Sequence, residues 1–233
     1  MTKTLTDIVK GKRVCVVGPA GYLKDKKGFG KVIDDYDVVV RVTKLWFCMN
    51  ENTKDYLGEK TDIIYTSGCP NDIIIPLYRD NVETLNNEGV MINIIPVYRH
   101  WFIGEQVNFR NILTNELKVN VLDTSAQSLQ YFKEIDGSSS NPLNTGVIAM
   151  LDVLSCEPSE LFICGFDFYT TDKSKSYVDG YVDYARLHAF KLMEAGKSGH
   201  CQKRNIAELK RQFARFDNVQ VKLDETLEKI INN

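Results

Sequence analysis

The sequence has little that would carry it into or across a membrane. No apolar run among its 233 residues approaches the roughly 18 needed to cross a bilayer. The first residues, MTKTLTDIVKGKRVCVVG, lack the small-residue cleavage site of a signal peptide. Charge of one sign is also missing. Twenty-nine Lys and Arg stand against 31 Asp and Glu, a net charge of -2. That balance excludes a global field that would gather nucleic acid or anionic lipid, although a local basic pocket stays open. The six cysteines, Cys15, Cys48, Cys69, Cys156, Cys164 and Cys201, form no C-x-x-C pair and no Cys/His cluster with zinc spacing. They read as reduced thiols in a cytoplasmic setting. No internal repeat and no low-complexity tract occurs.

What is present is an ordinary globular composition, 43% apolar and 26% charged. At roughly 100 to 200 residues per domain, the length predicts a single domain over 1–233. Short β-branched runs bounded by turn residues recur: Val14 to Val17, Asp37 to Val42, Thr61 to Tyr65, Val90 to Pro96 and Glu160 to Cys164. Such runs suit strands buried on both faces. Between them the spacing turns helical, most clearly over Thr145 to Ser155, with Asn144 or Thr145 as cap and Pro158 beyond the end. Asn205 to Phe216 predicts an amphipathic helix through Ile206, Leu209, Phe213 and Phe216. The final LDETLEKIINN predicts a surface helix. Strand and helix in alternation argue for an α/β class, one doubly wound Rossmann-like domain with a mostly parallel sheet. Residues 170–199, polar and poor in strand signals, read as a lid-like insertion.

Ligands of such sheets bind beyond the carboxyl ends of the strands, which ranks the loops. Gly18-Pro19-Ala20-Gly21 follows the first strand and serves equally as a tight turn or as bare backbone for a nucleotide. Ser67 and Gly68 follow the third run. Asn144, Thr145 and Gly146 open a helix, where capping or an anion would each use the same groups. Gly165-Phe166-Asp167-Phe168-Tyr169 follows ELFIC, and Tyr169 and Tyr177 offer phenol donors. Asp35-Tyr36-Asp37 matches the D-x-D pattern of metal-dependent transferases, but it precedes its strand and so falls at the opposite edge. Of three histidines, His100 and His188 suit packing or surface placement. His200, in GKSGHCQKRN just ahead of the amphipathic helix, is placed to take a proton from an incoming hydroxyl.

These blocks, in this order, resemble sialyltransferases. Val14 to Thr43 is similar to the long donor-binding motif of the animal-type glycosyltransferase family 29, with Gly30, Ile33, Asp34, Asp37, Val39 and Arg41 as the shared residues. LGEKTD is similar to its Gly-x-Lys-Thr. NTGVIAMLDVLSCEPSELFICGFDFY resembles its short motif, and more closely the matching block of the bacterial family 42. The bacterial enzymes also carry a Gly-His loop before a helix, as GHCQKRNIAEL does here. The resemblance implies a GT-A-like variant of the fold. It implies that Gly18, Ala20, Gly21, Thr43, Ser67, Asn144, Thr145, Gly146, Gly165 and Asp167 surround the donor nucleotide. Tyr169 and Tyr177 would bind its phosphate, and His200 would be the general base. Two positions depart. Thr43 stands where the family closes the long motif with Asn, and Asn205 stands where the animal enzymes have Glu. Cys15 and Cys156 fall near the animal family's disulfide positions.

The function so implied is inverting, metal-independent transfer of sialic acid or a related keto-sugar acid from a CMP-sugar co-substrate to a glycan hydroxyl, with no cofactor. A metal-dependent UDP- or GDP-sugar transferase is one alternative, and a non-catalytic nucleotide- or glycan-binding module is another. Expected partners are the CMP-activated donor and a glycan or glycoconjugate acceptor, with no nucleic acid and no transmembrane segment. A homo-oligomer is left open. The missing anchor implies a microbial or viral enzyme, or a trimmed chain.

Overall fold

A computed structural model describes residues 3–96, 100–136, 143–168, 170, 177–181 and 201–232. His188, His200, Tyr169 and most of the expected 170–199 insertion therefore lie outside the described residues. Among the described residues, seven strands form one sheet: β1 Arg13–Val17, β2 Val38–Val42, β3 Ile63–Thr66, β4 Met91–Ile94, β5 Asn120–Val121, β6 Glu160–Cys164 and β7 Gln220–Leu223. Their order is β5-β4-β3-β2-β1-β6-β7, and every pairing is parallel. This is the expected α/β, Rossmann-like architecture. The chain winds outward from β1 to β5 and then crosses to β6, so the strand order reverses between β1 and β6.

Alternation along the strands explains the core. Val14, Val16, Val38 and Val40 face the helix Thr145–Ser155, whereas Cys15, Val17 and Val39 face Leu23, Ile33 and Leu57 on the other side. Every residue from Val147 to Ser155 is buried, which is why that helix is apolar almost all round. Two strands had no apolar run to betray them. β5 has two residues, and β7 alternates between exposed and half-buried at the sheet edge. The last helix, Glu225–Asn232, lies at the surface and packs inward through Leu227 and Ile231. The Asp224 carboxylate caps it, accepting the Leu227 N–H at 2.9 Å.

The residues shared with the long motif are structural bolts. A methyl group added at Gly30 would lie 2.1 Å from Lys54 O, so only glycine lets the two backbones approach. The Asp34 carboxylate accepts the N–H groups of Glu59 at 3.0 Å and Lys60 at 2.9 Å. From β2, the fully buried Arg41 donates to Leu57 O, Lys60 O and Thr61 Oγ1, each at 2.8 Å. Burial lowers its guanidinium to about 10, still far above neutrality. The LGEKTD segment is thereby pinned to both a helix and a strand.

One carboxyl is sealed in the core. Asp152, in the Thr145–Ser155 helix, accepts the Tyr65 hydroxyl at 2.7 Å and an Asn93 amide N–H at 3.5 Å, tying the helix to β3 and β4. Burial pushes its pKa above the ordinary 3.8, against the lowering by these donors. A carboxyl with a raised folded pKa holds its proton more tightly when native. Its contribution is therefore greatest at low pH and is lost as pH rises from 3.8 through the raised value. Asp152→Asn should flatten that fall, read as urea midpoints of the two proteins between about pH 4 and pH 7. Parallel pH curves would contradict the assignment.

Candidate functional site

The site begins where β1 and β6 end side by side. Gly18 N–H donates to Cys164 O at 2.8 Å and Ala20 N–H to Gly165 O at 2.9 Å, so the two turns are hydrogen-bonded to each other. A methyl group at Gly18 would sit 2.4 Å from Gly165 O, and one at Gly165 would sit 2.3 Å from Gly18 O. Gly165 also has φ +77, a left-handed conformation that glycine adopts without cost. The requirement for glycine at both positions thus comes first from mutual packing. Gly146 is similar, since a methyl group there would lie 2.7 Å from the Phe166 ring. Gly21, buried, opens the short 3-10 helix Gly21–Asp25 that leaves the first turn.

Beneath the turns, Gly165 N–H reaches both Tyr22 Oη at 2.9 Å and Asp224 Oδ2 at 3.0 Å. The Tyr22 hydroxyl donates to the same carboxylate at 2.5 Å. Burial, reinforced by Asp224, raises the Tyr22 phenol well above its usual range, so it stays a donor. Tyr22 and Asp224 were not singled out in the sequence. Only Asp224, directly before a helical run, carried a readable signal, that of an N-cap.

Asn144 is the N-cap of Thr145–Ser155, accepting the Val147 N–H at 2.8 Å through Oδ1. Thr145 and Gly146 form its first turn at the same edge as the glycine turns. The Asn144 N–H in turn donates to the Asn205 side-chain oxygen at 3.1 Å. Asn205 is fully buried in the helix Gln202–Arg215, whose N-cap Cys201 is the neighbour of His200. Its amide donates back to Cys201 O at 3.2 Å.

The other expected residues ring this edge. Thr43 follows β2, with its N–H on Tyr65 O at 2.7 Å. Ser67 follows β3, its hydroxyl donating to Cys69 O at 3.1 Å and its carbonyl held by Gln106 at 2.7 Å. Asp167 is buried, and its carbonyl accepts the Thr170 N–H at 2.8 Å. Tyr177 pairs with the backbone of Ala20, while Val178 N–H donates to Pro19 O at 3.0 Å. Residues 177–181 therefore strap the first glycine turn.

Asp35 and Asp37 sit at the opposite edge, as their position predicted. Asp35 pairs with the Arg13 guanidinium at 3.0 Å and Asp37 accepts the Arg13 N–H at 2.9 Å, both at the start of β1. The six cysteines are free. Cys15 and Cys156 belong to cores on opposite faces of the sheet, so the bridge implied by the animal-type resemblance is not formed. Among the described residues, no group of three or more His, Cys, Asp or Glu is gathered as for a metal, and no helix is long and apolar enough to cross a membrane.

The fold is an α/β domain whose parallel sheet reverses its strand order between β1 and β6. More closely, the fold is that of sialyltransferases. The monofunctional alpha-2,3-sialyltransferase Cst-I from Campylobacter jejuni aligns with a TM-score of 0.63 at 17% identity, over 96% of this chain and 82% of that one. The sialyltransferase CstII from Campylobacter jejuni, solved with the substrate analogue cytidine-5'-monophosphate, aligns at 0.60 and 17% identity over 92% and 80%. A mammalian sialyltransferase solved with Gal-beta-1-3GalNAc-ortho-nitrophenol aligns at 0.54 and 13% identity over 93% and 71%. No protein-family description and no curated protein matches the sequence.

Asn205→Ala should leave the Asn144 N–H without its partner and cost about 1–3 kcal/mol of stability. Chemical denaturation checks this, and an unchanged midpoint would contradict the bracing role.

Proposed function

We propose that the protein is a sialyltransferase-type glycosyltransferase that moves sialic acid or a related keto-sugar acid from a CMP-activated donor to a glycan hydroxyl. The observation that carries this reading is the joining of two strand-end turns, a strap and two helices at one sheet edge. The Gly18–Gly21 and Gly165 turns bond to each other, the 177–181 strap bonds to the first turn, and Asn205 ties the Thr145–Ser155 helix to the helix that follows His200. The fold shared with sialyltransferases, one of them solved with cytidine-5'-monophosphate, supports a cytidine nucleotide at this edge.

In this reading Gly18, Ala20, Gly21, Thr43 and Ser67 surround the nucleotide, with Gly165 and Asp167 closing it from β6. A keto-sugar acid bears a carboxylate on its anomeric carbon, and the N–H groups at Thr145 and Gly146 suit that anion. His200 accepts the acceptor's hydroxyl proton as its oxygen bonds to the anomeric carbon. The bond to the CMP phosphate oxygen breaks with its electron pair, and attack from the opposite face inverts the centre. Tyr169 and Tyr177 donate hydrogen bonds to the departing phosphate, which carries less charge than a diphosphate and so needs no divalent cation. The engagement of Asp35 and Asp37 with Arg13, away from this edge, weakens the metal-dependent alternative. Unpaired thiols favour a cytoplasmic setting.

Two measurements test the proposal. Titration should give tighter binding of CMP than of UDP or GDP, and CMP-sialic acid or CMP-Kdo should be hydrolysed or transferred; a chain that does neither is not a CMP-sugar enzyme. Binding without turnover over any acceptor would instead mark a non-catalytic module. His200→Ala should abolish transfer while leaving CMP affinity nearly intact, because a base acts on the acceptor. Unchanged turnover would remove His200 from the mechanism.

A further inference from the structure

We propose that Tyr181 is a positioning residue of the donor site, holding the 177–181 strap over the first glycine turn through the Thr43 hydroxyl. The inference rests on the donor reading above and concerns one of the two positions where the chain departs from the sialyltransferase pattern.

Thr43 has φ +61, a left-handed conformation unfavourable for a β-branched residue. Such backbone persists where its surroundings hold it. Three contacts do so here. The N–H donates to Tyr65 O at 2.7 Å, the hydroxyl donates to Val42 O at 2.7 Å, and Thr43 Oγ1 meets Tyr181 Oη at 2.5 Å. A threonine hydroxyl has one proton, and Val42 O takes it. The phenol of Tyr181 is therefore the donor to Thr43 Oγ1. The resulting relay runs from the strap, through Thr43, to the end of β2.

The same phenol ring carries the relay to the first turn. Tyr181 packs against Tyr177 with ring centroids 4.6 Å apart, and the Lys44 ammonium lies 5.5 Å from the Tyr181 centroid. Tyr177 pairs with Ala20, Val178 N–H holds Pro19 O, and Asp179 pairs with Lys24. Tyr181 thus links the turn after β2 to the turn after β1 and sets the ring of Tyr177, the residue assigned to the donor phosphate. Where the family uses an Asn side chain, this chain has a shorter hydroxyl with a phenol seated on it. The two hydroxyls engage each other, so Thr43 serves as the anchor of the strap.

The full chain and three substitutions decide this. Tyr181→Phe and Thr43→Val each delete one hydroxyl and keep the shape. Each should weaken CMP binding about 5-fold, the worth of one ordinary hydrogen bond. Because both break the same link, the double variant should bind no more weakly than either single one. Thr43→Ser, which keeps the hydroxyl, should fall nearer the wild type than Thr43→Val. Without nucleotide, the Val178 amide should exchange its hydrogen faster in Tyr181→Phe. Losses that add in the double variant, or singles with unchanged CMP affinity, would overturn the proposal. A wild type that does not bind CMP overturns the donor reading itself. Val178 exchange then still judges the strap: acceleration in Tyr181→Phe keeps the link, and no change removes it.

Discussion

The close contact between the Gly18 and Gly165 turns is the constraint on which the rest of the site depends. Parallel neighbours β1 and β6 deliver two chain reversals to one point, and side chains there would force them apart because each glycine faces the other's carbonyl oxygen within 2.5 Å of an added methyl. Separation would also free Phe166, whose ring lies against both Gly18 and Gly146. The start of the Thr145–Ser155 helix is thus registered to the first turn through an apolar ring. From below, the Gly165 N–H is held by Tyr22 and by Asp224, which leads from β7 into the last helix. An edge strand and a terminal helix, remote from any ligand chemistry in the sequence, therefore set the height of the turn.

Architecture and chemistry separate clearly in the block that most resembles a family motif. Gly30, Asp34 and Arg41 all act on the 57–62 segment, through backbone contact, carboxylate acceptance and guanidinium donation. A guanidinium suits this task because it cannot be neutralised near pH 7 even when burial lowers it, and its planar fork reaches several oxygens at once. These residues hold β2 in place and so present Thr43. Similarity in this block marks how the edge is built, whereas the groups that would touch a ligand come from the ends of the strands.

Legibility in the sequence followed burial and locality. β1 to β4 and β6 lie inside the sheet and read as apolar runs, while β5 and β7 lie at its edges and do not. Thr145–Ser155 was readable to its ends because its cap, Asn144, is local. Asp35 and Asp37 were placed correctly by topology alone. The reasons for the glycines were not readable, since Gly18 and Gly165 answer to each other across the sheet. Nor were Tyr181 and Asn205, whose partners stand 138 and 61 residues away. No local pattern encodes a contact of that span.

Both departures from the family pattern become intelligible as changes of hydrogen-bond bookkeeping. Asn205 accepts from the Asn144 N–H and donates to Cys201 O, with its side chain fully buried. A neutral amide can do both at once, whereas a carboxylate in its place would only accept and would carry a buried charge. Thr43 shows the complementary case. Its hydroxyl donates to Val42 O and meets the Tyr181 phenol of the strap. In each case the polar group at the variant position has a partner in place, and that partner belongs to the segment flanking a residue assigned to catalysis or phosphate binding. With hydrogen-bond partners at both positions, the edge stays assembled.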